Sequence, residues 1–512
     1  MSILLKTDLL YTGLHDNPIE GFVRIDGNKI TKVGPIDEIT DYTTDAEVYD
    51  MYGKVVTPGF VDNHVFFTGY MWERIGFNAS EATTTEELIA LIKAEGNSLH
   101  ISRPILGHGL NSDYDFDIDA LEEAYPVRPV MVFNEGRTYC YMNQAAKDQY
   151  GFTEDECWAE MCWRLFKELL SDKEFARSQY ENFQNLLAAQ GITSIKEIGF
   201  DHYDGFTDVL KDFEDSGELK HRINLVSQPV RAGADFAYGE YARDFFSSDQ
   251  IKYMGFNIMI DGDIESGGGH LIDGYSEASG YDNEMDIDYE GIRETVLEAD
   301  KKGFRVALHA EGDAAVRKCI DIIEECRTVN GARDASHAIV DMEMIHPDDR
   351  ARLAELNISC MQYIQIMNCY GKRENYWDER LLSPAQREEI WAYKSLLESG
   401  SRLCFGTDLP LDVPDIPLSI RFGCKRAFPE DSIECGYHME EALTPAQILT
   451  CWTKNGQFAN FAEDTLGTIE EGKLADIAVI DTNIFSCSDE ALADAAVCMT
   501  IYNGNIVFEK EN

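Results

Sequence analysis

Apolar and polar residues follow two patterns along the chain, and these predict two kinds of β-sheet. Near both chain ends, short alternating runs are separated by Gly, Asn, Asp and Pro, as in residues 3–11, 21–25, 475–481 and 498–508. Such alternation is typical of antiparallel strands with one buried face, and Asn503-Gly504 is a strong hairpin signal. Because the two ends of the chain have the same strand pattern, we predict one small β-sandwich built from residues 1–56 and 464–512.

Between these ends, apolar strand-like runs alternate with helical patterns over residues 57–463. This order predicts βα units around a parallel sheet. The strand candidates are residues 59–64, 192–197, 223–227, 256–261, 305–310, 337–342, 358–362 and 402–408. Eight such units predict an α/β fold of the (β/α)8 TIM-barrel type, with its active site at the C-terminal ends of the strands. Residues 70–180 interrupt this order after the first strand and predict an insertion that forms a lid or wall.

Charge and composition narrow the choice of partner and compartment. The chain has 44 basic and 93 acidic residues among 512, a net charge of −49, which argues against nucleic acid and anionic membranes as partners. The acidic excess would either favour solubility in a salty cytoplasm or attract cationic substrates. Thirteen cysteines without paired spacing fit reduced thiols, and the chain shows no long apolar run or signal sequence. We therefore expect a cytoplasmic protein that acts on a small molecule.

Several motifs in the barrel region resemble the amidohydrolase superfamily. They lie at residues 55–62, 191–194, 260–262, 308–316, 405–410 and 466–476, and two of them read His309-Ala310-Glu311-Gly312-Asp313 and Gly406-Thr407-Asp408-Leu409-Pro410. The branch that resembles N-substituted formamide deformylases has a similar long insertion after its first strand. The resemblance spans nearly the whole chain. It implies a homo-oligomeric hydrolase that acts on C–N bonds other than peptide bonds.

The same resemblance implies a metal centre. The family pattern has His-x-His on strand one, lysine on strand four, histidine on strands five and six, and aspartate on strand eight. The chain keeps His64, His309 and Asp408 but has Phe66, Asn257 and Asp341 at the other three positions. With Asp341 as a fourth ligand, the set would hold one divalent metal, such as zinc, iron or manganese.

The resemblance also assigns roles in catalysis. Asp408 would be the general base and acid, and His309 the second catalytic residue. Five further residues are predicted to contact the substrate: Lys196 at the end of strand two, Asn257, His270 after three glycines, and His108 and Arg137 in the insertion. Lys196 has three interpretations, namely a carbamylated lysine, a Schiff base, or a salt bridge with Glu197 or Asp341. The salt bridge is the simplest of these.

Three functions fit these residues. The first is a hydrolase with one metal that cleaves an amide-type C–N bond, or a related ester or ring bond, of a small molecule. The second is a metal-free lyase, isomerase or ring-opening hydrolase that uses Asp408 and His309 as acid and base. The third is a non-catalytic barrel that binds a ligand. Tyr363, Tyr370 and Trp377 follow strand seven and predict either an apolar pocket wall or simple packing.

Overall fold

A computed structural model describes residues 2–135, 139–152, 162–200, 206–229, 233–432 and 436–511. The chain divides into two compact units. The first unit contains residues 1–65, 184–198 and 218–512, and the second contains residues 66–183 and 199–217. The candidate chemistry at the strand ends lies in the first unit, so the fold of that unit determines the site.

Within the described residues, eight parallel strands neighbour one another in chain order. These first to eighth barrel strands are Phe60–Val65, Ile192–Phe200, Arg222–Gln228, Ile251–Met259, Arg305–His309, Ala338–Val340, Ser359–Gln362 and Arg402–Phe405. A parallel bridge between Val65 and Leu409 brings the first strand against the segment that follows the eighth. The predicted TIM barrel is therefore confirmed, and each predicted strand overlaps an observed one.

Helices follow the barrel strands, and each helix buries its apolar face against neighbouring elements. The longer ones are Phe236–Phe245, Tyr289–Lys301, Asp313–Val329, Pro347–Glu355 and Ile416–Lys425. Shorter helices are Asp378–Leu381, Pro384–Arg387, Tyr393–Glu398, Pro445–Trp452, Lys454–Phe458 and Asp489–Ala493. Asp288 shows how they begin: its side chain accepts a hydrogen bond from the Gly291 amide, while Val296 and Ala299 are buried.

The small sheet joins strands from both ends of the described chain. Its eight members are Ser2–Leu10, Ile19–Asp26, Lys29–Pro35, Glu47–Asp50, Val55–Pro58, Ile477–Ile480, Val497–Tyr502 and Asn505–Glu509. Asn503 and Gly504 both have positive φ, +49° and +78°, which is the two-residue turn that the sequence predicted. The expectation that the two termini share one β-structure is confirmed.

The second unit has a sheet and a core of its own. In its described part, the strands are Phe77–Asn78, Ile105–Leu110, Val130–Asn134 and Cys140–Met142. Its helices are Phe67–Trp72, Thr85–Ser98, Ile118–Ala124, Gln144–Tyr150, Trp163–Leu170 and Phe206–Ser216, and the helix Lys173–Ala189 leads back to the barrel. Leu88, Ile92 and Ile105 are fully buried there. A lid role for this unit stays a prediction. The described helices include none that is long and apolar enough to cross a membrane.

One buried ion pair joins the small sheet to the barrel. The Arg222 guanidinium, on the third barrel strand, donates to both carboxylate oxygens of Asp476 at 2.9 and 3.2 Å. Asp476 directly precedes the strand Ile477–Ile480, and it also accepts the Asn503 amide at 2.8 Å. Both side chains are nearly inaccessible to solvent, and the other acceptors of Arg222, the Asp249 carbonyl oxygen at 3.1 Å and Asn503 Oδ1 at 3.3 Å, are uncharged, so loss of the carboxylate leaves a buried charge without a counterion.

We predict that Asp476→Ala lowers the free energy of unfolding by about 3–5 kcal/mol, because it leaves a buried guanidinium without its partner. Urea unfolding followed by circular dichroism measures the change. Asp50→Ala is the matched control, since the Lys6–Asp50 pair is largely exposed and its loss should leave stability almost unchanged. Equal effects of the two substitutions would contradict the role given to Asp476.

Candidate metal centre and active site

Four ionisable side chains meet at the C-terminal ends of the first, fifth, sixth and eighth barrel strands. His64 faces two carboxylates, with Nδ1 3.8 Å from Asp341 Oδ1 and Nε2 3.8 Å from Asp408 Oδ1. His309 Nε2 lies 3.4 Å from the other oxygen of Asp341. Asp341 therefore contacts both imidazoles. Three pairwise contacts thus join the four residues that the sequence proposed as metal ligands, with His64 between the two aspartates on its two ring nitrogens.

The two aspartates depend on an uncommon backbone conformation. Asp341 follows the sixth strand with a φ of +59°, and Asp408 follows the eighth with a φ of +52°. Residues other than glycine adopt positive φ rarely, and such conformations are concentrated at functional sites. The sequence pattern gave no sign of this local strain.

Asp62 positions the ligands on either side of the barrel closure. Its Oδ1 accepts the backbone amides of Thr407 at 3.1 Å and His64 at 3.2 Å, and its Oδ2 accepts the Thr407 hydroxyl at 2.5 Å. Thr407 precedes Asp408, so one buried carboxyl orients the segments that carry His64 and Asp408. Burial raises the pKa of Asp62 to about 7. The motifs give no indication of this role, although a carboxylate within a buried apolar strand is a signal for it.

The electrostatics of the cluster fit a divalent cation. Burial lowers the pKa of His309 to about 4 and the pKa of His64 well below its usual value, so both imidazoles are neutral and keep a nitrogen lone pair. Burial and the nearby Asp408 raise the pKa of Asp341 well above its usual range. Among the described residues, His309 Nδ1 and Asp341 Oδ1 are buried without a hydrogen-bond partner. Two imidazoles and two carboxylates are an acceptable donor set for zinc, iron or manganese.

Asp261 holds the loop after the fourth strand against the fifth. Its carboxylate accepts the backbone amides of His270 at 2.8 Å and of Glu311 and Gly312 at 3.0 Å. Gly312 is required at this approach, because a Cβ built there would lie 2.2 Å from the His270 carbonyl oxygen. Asp313 adds a fourth bond by accepting the Ile272 amide at 2.9 Å. The residues that follow His309 in its motif thus join the segment after the fifth strand to the loop after the fourth.

Two predicted substrate contacts lie on barrel strands. Lys196 is buried on the second strand, and none of the described carboxylates lies within ion-pairing distance of it. The salt-bridge interpretation is therefore wrong. Lys196 and Glu197 are consecutive on a strand, so their side chains leave on opposite faces. Burial, assisted by Arg305, lowers the pKa of Lys196 well below its usual value. Asn257 pairs in register with Ala307, two residues before His309, and donates to Gln228 Oε1 at 3.1 Å.

Of the other predicted substrate contacts, His270 contacts the helix that follows its loop, and His108 lies in the second unit. His270 Nδ1 bonds the Tyr289 hydroxyl at 2.8 Å, a contact with the following helix. His108 Nδ1 contacts the Ile75 carbonyl oxygen at 3.0 Å and lines a pocket of about 210 Å³ within the second unit. Phe66 begins that unit, and Arg137 lies outside the described residues. Substrate binding by Lys196, Asn257, His108, His270 and Arg137 stays a prediction.

Two glutamates beside the cluster were not anticipated. Glu311 Oε1 lies 3.9 Å from His309 Nε2, and Glu311 Oε2 accepts the Ile264 amide at 2.9 Å. Burial and the charge of Glu343 raise the pKa of Glu311 well above its usual value, and burial raises the pKa of Glu343 to about 7. Each glutamate stands two residues after a proposed ligand, His309 or Asp341. That spacing is the only feature of the sequence that points to these two glutamates.

Comparison with known proteins agrees with this barrel and its motifs. A sequence model of a protein family, described as the amidohydrolase family, matches residues 47–508. The chain belongs to the amidohydrolase family. The match includes all eight barrel strands and every residue of the cluster described above.

Similar proteins are only distantly related. Protein LONG AFTER FAR-RED 3 of Arabidopsis thaliana is 24% identical over 553 aligned positions, which cover 99% of this chain and 91% of that protein. N-substituted formamide deformylase of Arthrobacter pascens is 20% identical over 552 positions, or 95% of each chain. The crystal structure of an uncharacterized metal-dependent hydrolase from Pyrococcus horikoshii OT3 superposes with a TM-score of 0.78 at 16% identity, covering 96% of this chain and 99% of that one. At this identity the likeness supports the fold.

We predict that Asp261→Ala frees the loop after the fourth strand, because three backbone amides lose their acceptor. Each unsatisfied buried group costs about 1–3 kcal/mol, so amide hydrogen exchange at residues 262–272 should accelerate about tenfold or more. Hydrogen–deuterium exchange mass spectrometry measures this, with Asp273→Ala in the same loop as the control. Unchanged exchange in Asp261→Ala would show that the carboxylate does not hold the loop.

Proposed function

We propose that this protein is a hydrolase that cleaves an amide-type C–N bond of a small molecule with the help of one divalent metal. The observation that carries the proposal is the convergence of His64, His309, Asp341 and Asp408 at the C-terminal rim of the barrel. Membership of the amidohydrolase family and the similarity to a protein named as an N-substituted formamide deformylase support the reaction class.

The four residues supply two imidazoles and two carboxylates, and His64 would offer the metal one nitrogen, either Nδ1 on the side of Asp341 or Nε2 on the side of Asp408. A bound metal supplies a Lewis acid that polarises the scissile carbonyl and lowers the pKa of water. The neutral imidazoles of His64 and His309 suit this role, because protonated rings have no free lone pair. Asp341 contacts both rings and so links the two halves of the ligand set.

Asp408 carries the proton in this proposal. Its side chain is 32% exposed, whereas that of Asp341 is 4% exposed, so Asp408 is the carboxylate that water and substrate can reach. As general base it takes a proton from the attacking water, and as general acid it gives that proton to the leaving nitrogen. One water is consumed, and a carboxylic acid and an amine are released. Asp62 keeps Asp408 in place through Thr407.

We expect Asp408→Asn to lower turnover of a hydrolysable N-substituted formamide or amide by about 10²-fold or more while the fold is retained. Amine release measured by mass spectrometry gives the rate, and circular dichroism reports the fold. Asp412→Asn is a matched control, because Asp412 lies four residues further along and bonds Asn368 instead. Turnover at the wild-type level in Asp408→Asn would contradict the proton-transfer role.

We also expect about one divalent metal per chain, since this donor set has the size of a mononuclear site. Inductively coupled plasma mass spectrometry of untagged protein measures it, and His64→Ala/Asp408→Ala should lose the metal. Exhaustive chelation should abolish turnover, and adding back zinc, iron or manganese should restore it. Full turnover in protein shown to be metal-free would favour acid–base chemistry by Asp408 and His309 alone.

A further inference from the structure

Arg305 is a buried cation that the proposed mechanism does not use. It is the first residue of the fifth barrel strand, and it is only 3% exposed. Ala307, two residues further along the strand, packs in the barrel interior with Val340 and Cys404, so the Arg305 side chain enters the same interior. At about 3.3 Å per residue, Arg305 lies about 13 Å from the strand end that carries His309. The guanidinium is therefore separate from the candidate metal centre.

The guanidinium of Arg305 lacks the hydrogen bonds that a buried charge requires. All three of its nitrogens are buried, and none has a hydrogen-bond partner in the described part of the protein. The group stays charged at neutral pH, because burial lowers its pKa only to about 10. Taking a charge out of water without a partner is costly, and an orphan of this kind in a native protein indicates a bound ion or water.

The surroundings of Arg305 offer basic groups and a thiol but no counterion. Cys404 is the titratable neighbour that raises the pKa of Arg305, and burial raises the pKa of the Cys404 thiol itself, so this thiol is uncharged at neutral pH. Lys196 on the second strand is a further basic neighbour, since the charge of Arg305 lowers its pKa. No carboxylate of the described residues lies within ion-pairing distance of Arg305. The negative charge must therefore come from elsewhere.

Asn460 is a second unpaired polar side chain in the same region. The ring centroid of the next residue, Phe461, lies 5.9 Å from Arg305 Cζ, and the preceding Ala459 belongs to the same packed cluster as Ala307. Asn460 is fully buried, and neither its amide nitrogen nor its amide oxygen has a hydrogen-bond partner among the described residues. The chain thus brings a second buried N–H donor to the guanidinium end of Arg305.

We propose that one small inorganic anion, of the size of chloride, binds inside the barrel between the Arg305 guanidinium and the Asn460 amide. Water would supply hydrogen bonds there but not the missing negative charge. A monatomic anion neutralises one guanidinium and accepts N–H donors from any direction, which suits nitrogens that are enclosed on all sides. The anion holds residues 459–461 against the fifth strand, whose other end carries His309. This inference is independent of the proposed hydrolase function, because neither donor belongs to the metal set.

The test is anomalous X-ray diffraction from crystals of the full-length protein in which bromide replaces chloride. Bromide has the same charge as chloride and nearly the same size, and its absorption edge allows it to be located. We expect one strong anomalous peak within hydrogen-bonding distance of the Arg305 nitrogens and Asn460 Nδ2. The net charge of −49 disfavours bromide on the surface, so other peaks should be weak.

Two variants separate this site from a general effect of charge. Arg305→Met should lose the bromide peak and keep the fold, because an apolar replacement of a buried charge is often neutral for stability. Arg402→Met is the matched control: Arg402 also begins a barrel strand and lies 4.8 Å from the ring of Phe458, but it is exposed. That variant should keep the peak at Arg305.

Thermal unfolding in solution gives a second readout. An anion that binds only the folded protein stabilises it, so the melting temperature should rise by about 2 °C or more when chloride replaces the bulky anion gluconate at constant ionic strength. Arg305→Met should abolish this rise and Arg402→Met should retain it. If Arg305→Met does not fold, Asn460→Leu removes the other donor and should reduce the rise.

Two results would overturn the proposal. One is bromide at surface positions alone in wild-type crystals, which would mean an adventitious ion only. The other is the same chloride-dependent rise in melting temperature for the wild type and for a folded Arg305→Met or Asn460→Leu.

Discussion

The hydrogen bonds of Asp62 across the closure of the barrel are the interaction on which the site depends. The first strand and the segment after the eighth meet there, through Asp62 and Thr407 and through the bridge between Val65 and Leu409. His64 lies on one side of this closure and Asp408 on the other. Their 3.8 Å separation therefore depends on a buried carboxyl that touches neither substrate nor metal in our proposal.

Most of the fold could be predicted because its signals are local. Residues 59–64 were predicted as a strand and Phe60–Val65 is one, since an apolar run after Pro58-Gly59 has few alternatives. The hairpin at Asn503-Gly504 follows from the backbone preferences of those two residues. The sheet order of the second unit could not be read in the same way, because it depends on pairings between strands far apart in sequence.

Sequence motifs could predict only the residues of the candidate site that lie within them. His309 and Asp408 stand in recognisable motifs, and Asp341 was found by register. Glu343 was missed because its importance comes from Tyr376 and Trp391, which lie 33 and 48 residues away in the chain. A salt bridge between Lys196 and Glu197 is excluded for a geometric reason, since neighbouring residues on a strand face opposite ways.

The residues that differ from the usual ligand pattern make specific contacts in this structure. Asn257 fills the lysine position by joining two barrel strands through Gln228, and Asp341 fills the sixth-strand histidine position by contacting both remaining imidazoles. A carboxylate in place of an imidazole makes the site more negative. Glu311 and Glu343 stand two residues after His309 and Asp341, and burial raises the pKa of both carboxyl groups.

The central claim is that His64, His309, Asp341 and Asp408 hold one catalytic metal, and anomalous X-ray diffraction tests it most directly. Crystals of protein purified with its own metal would be measured on both sides of the absorption edges of zinc, iron and manganese. Our account predicts one anomalous peak among these four side chains. A peak elsewhere would contradict it, for example among Asp300, Cys326 and His337, a buried group whose ligand atoms all lie within 4.8 Å of one another. The absence of any peak in crystals of active protein would contradict it as well.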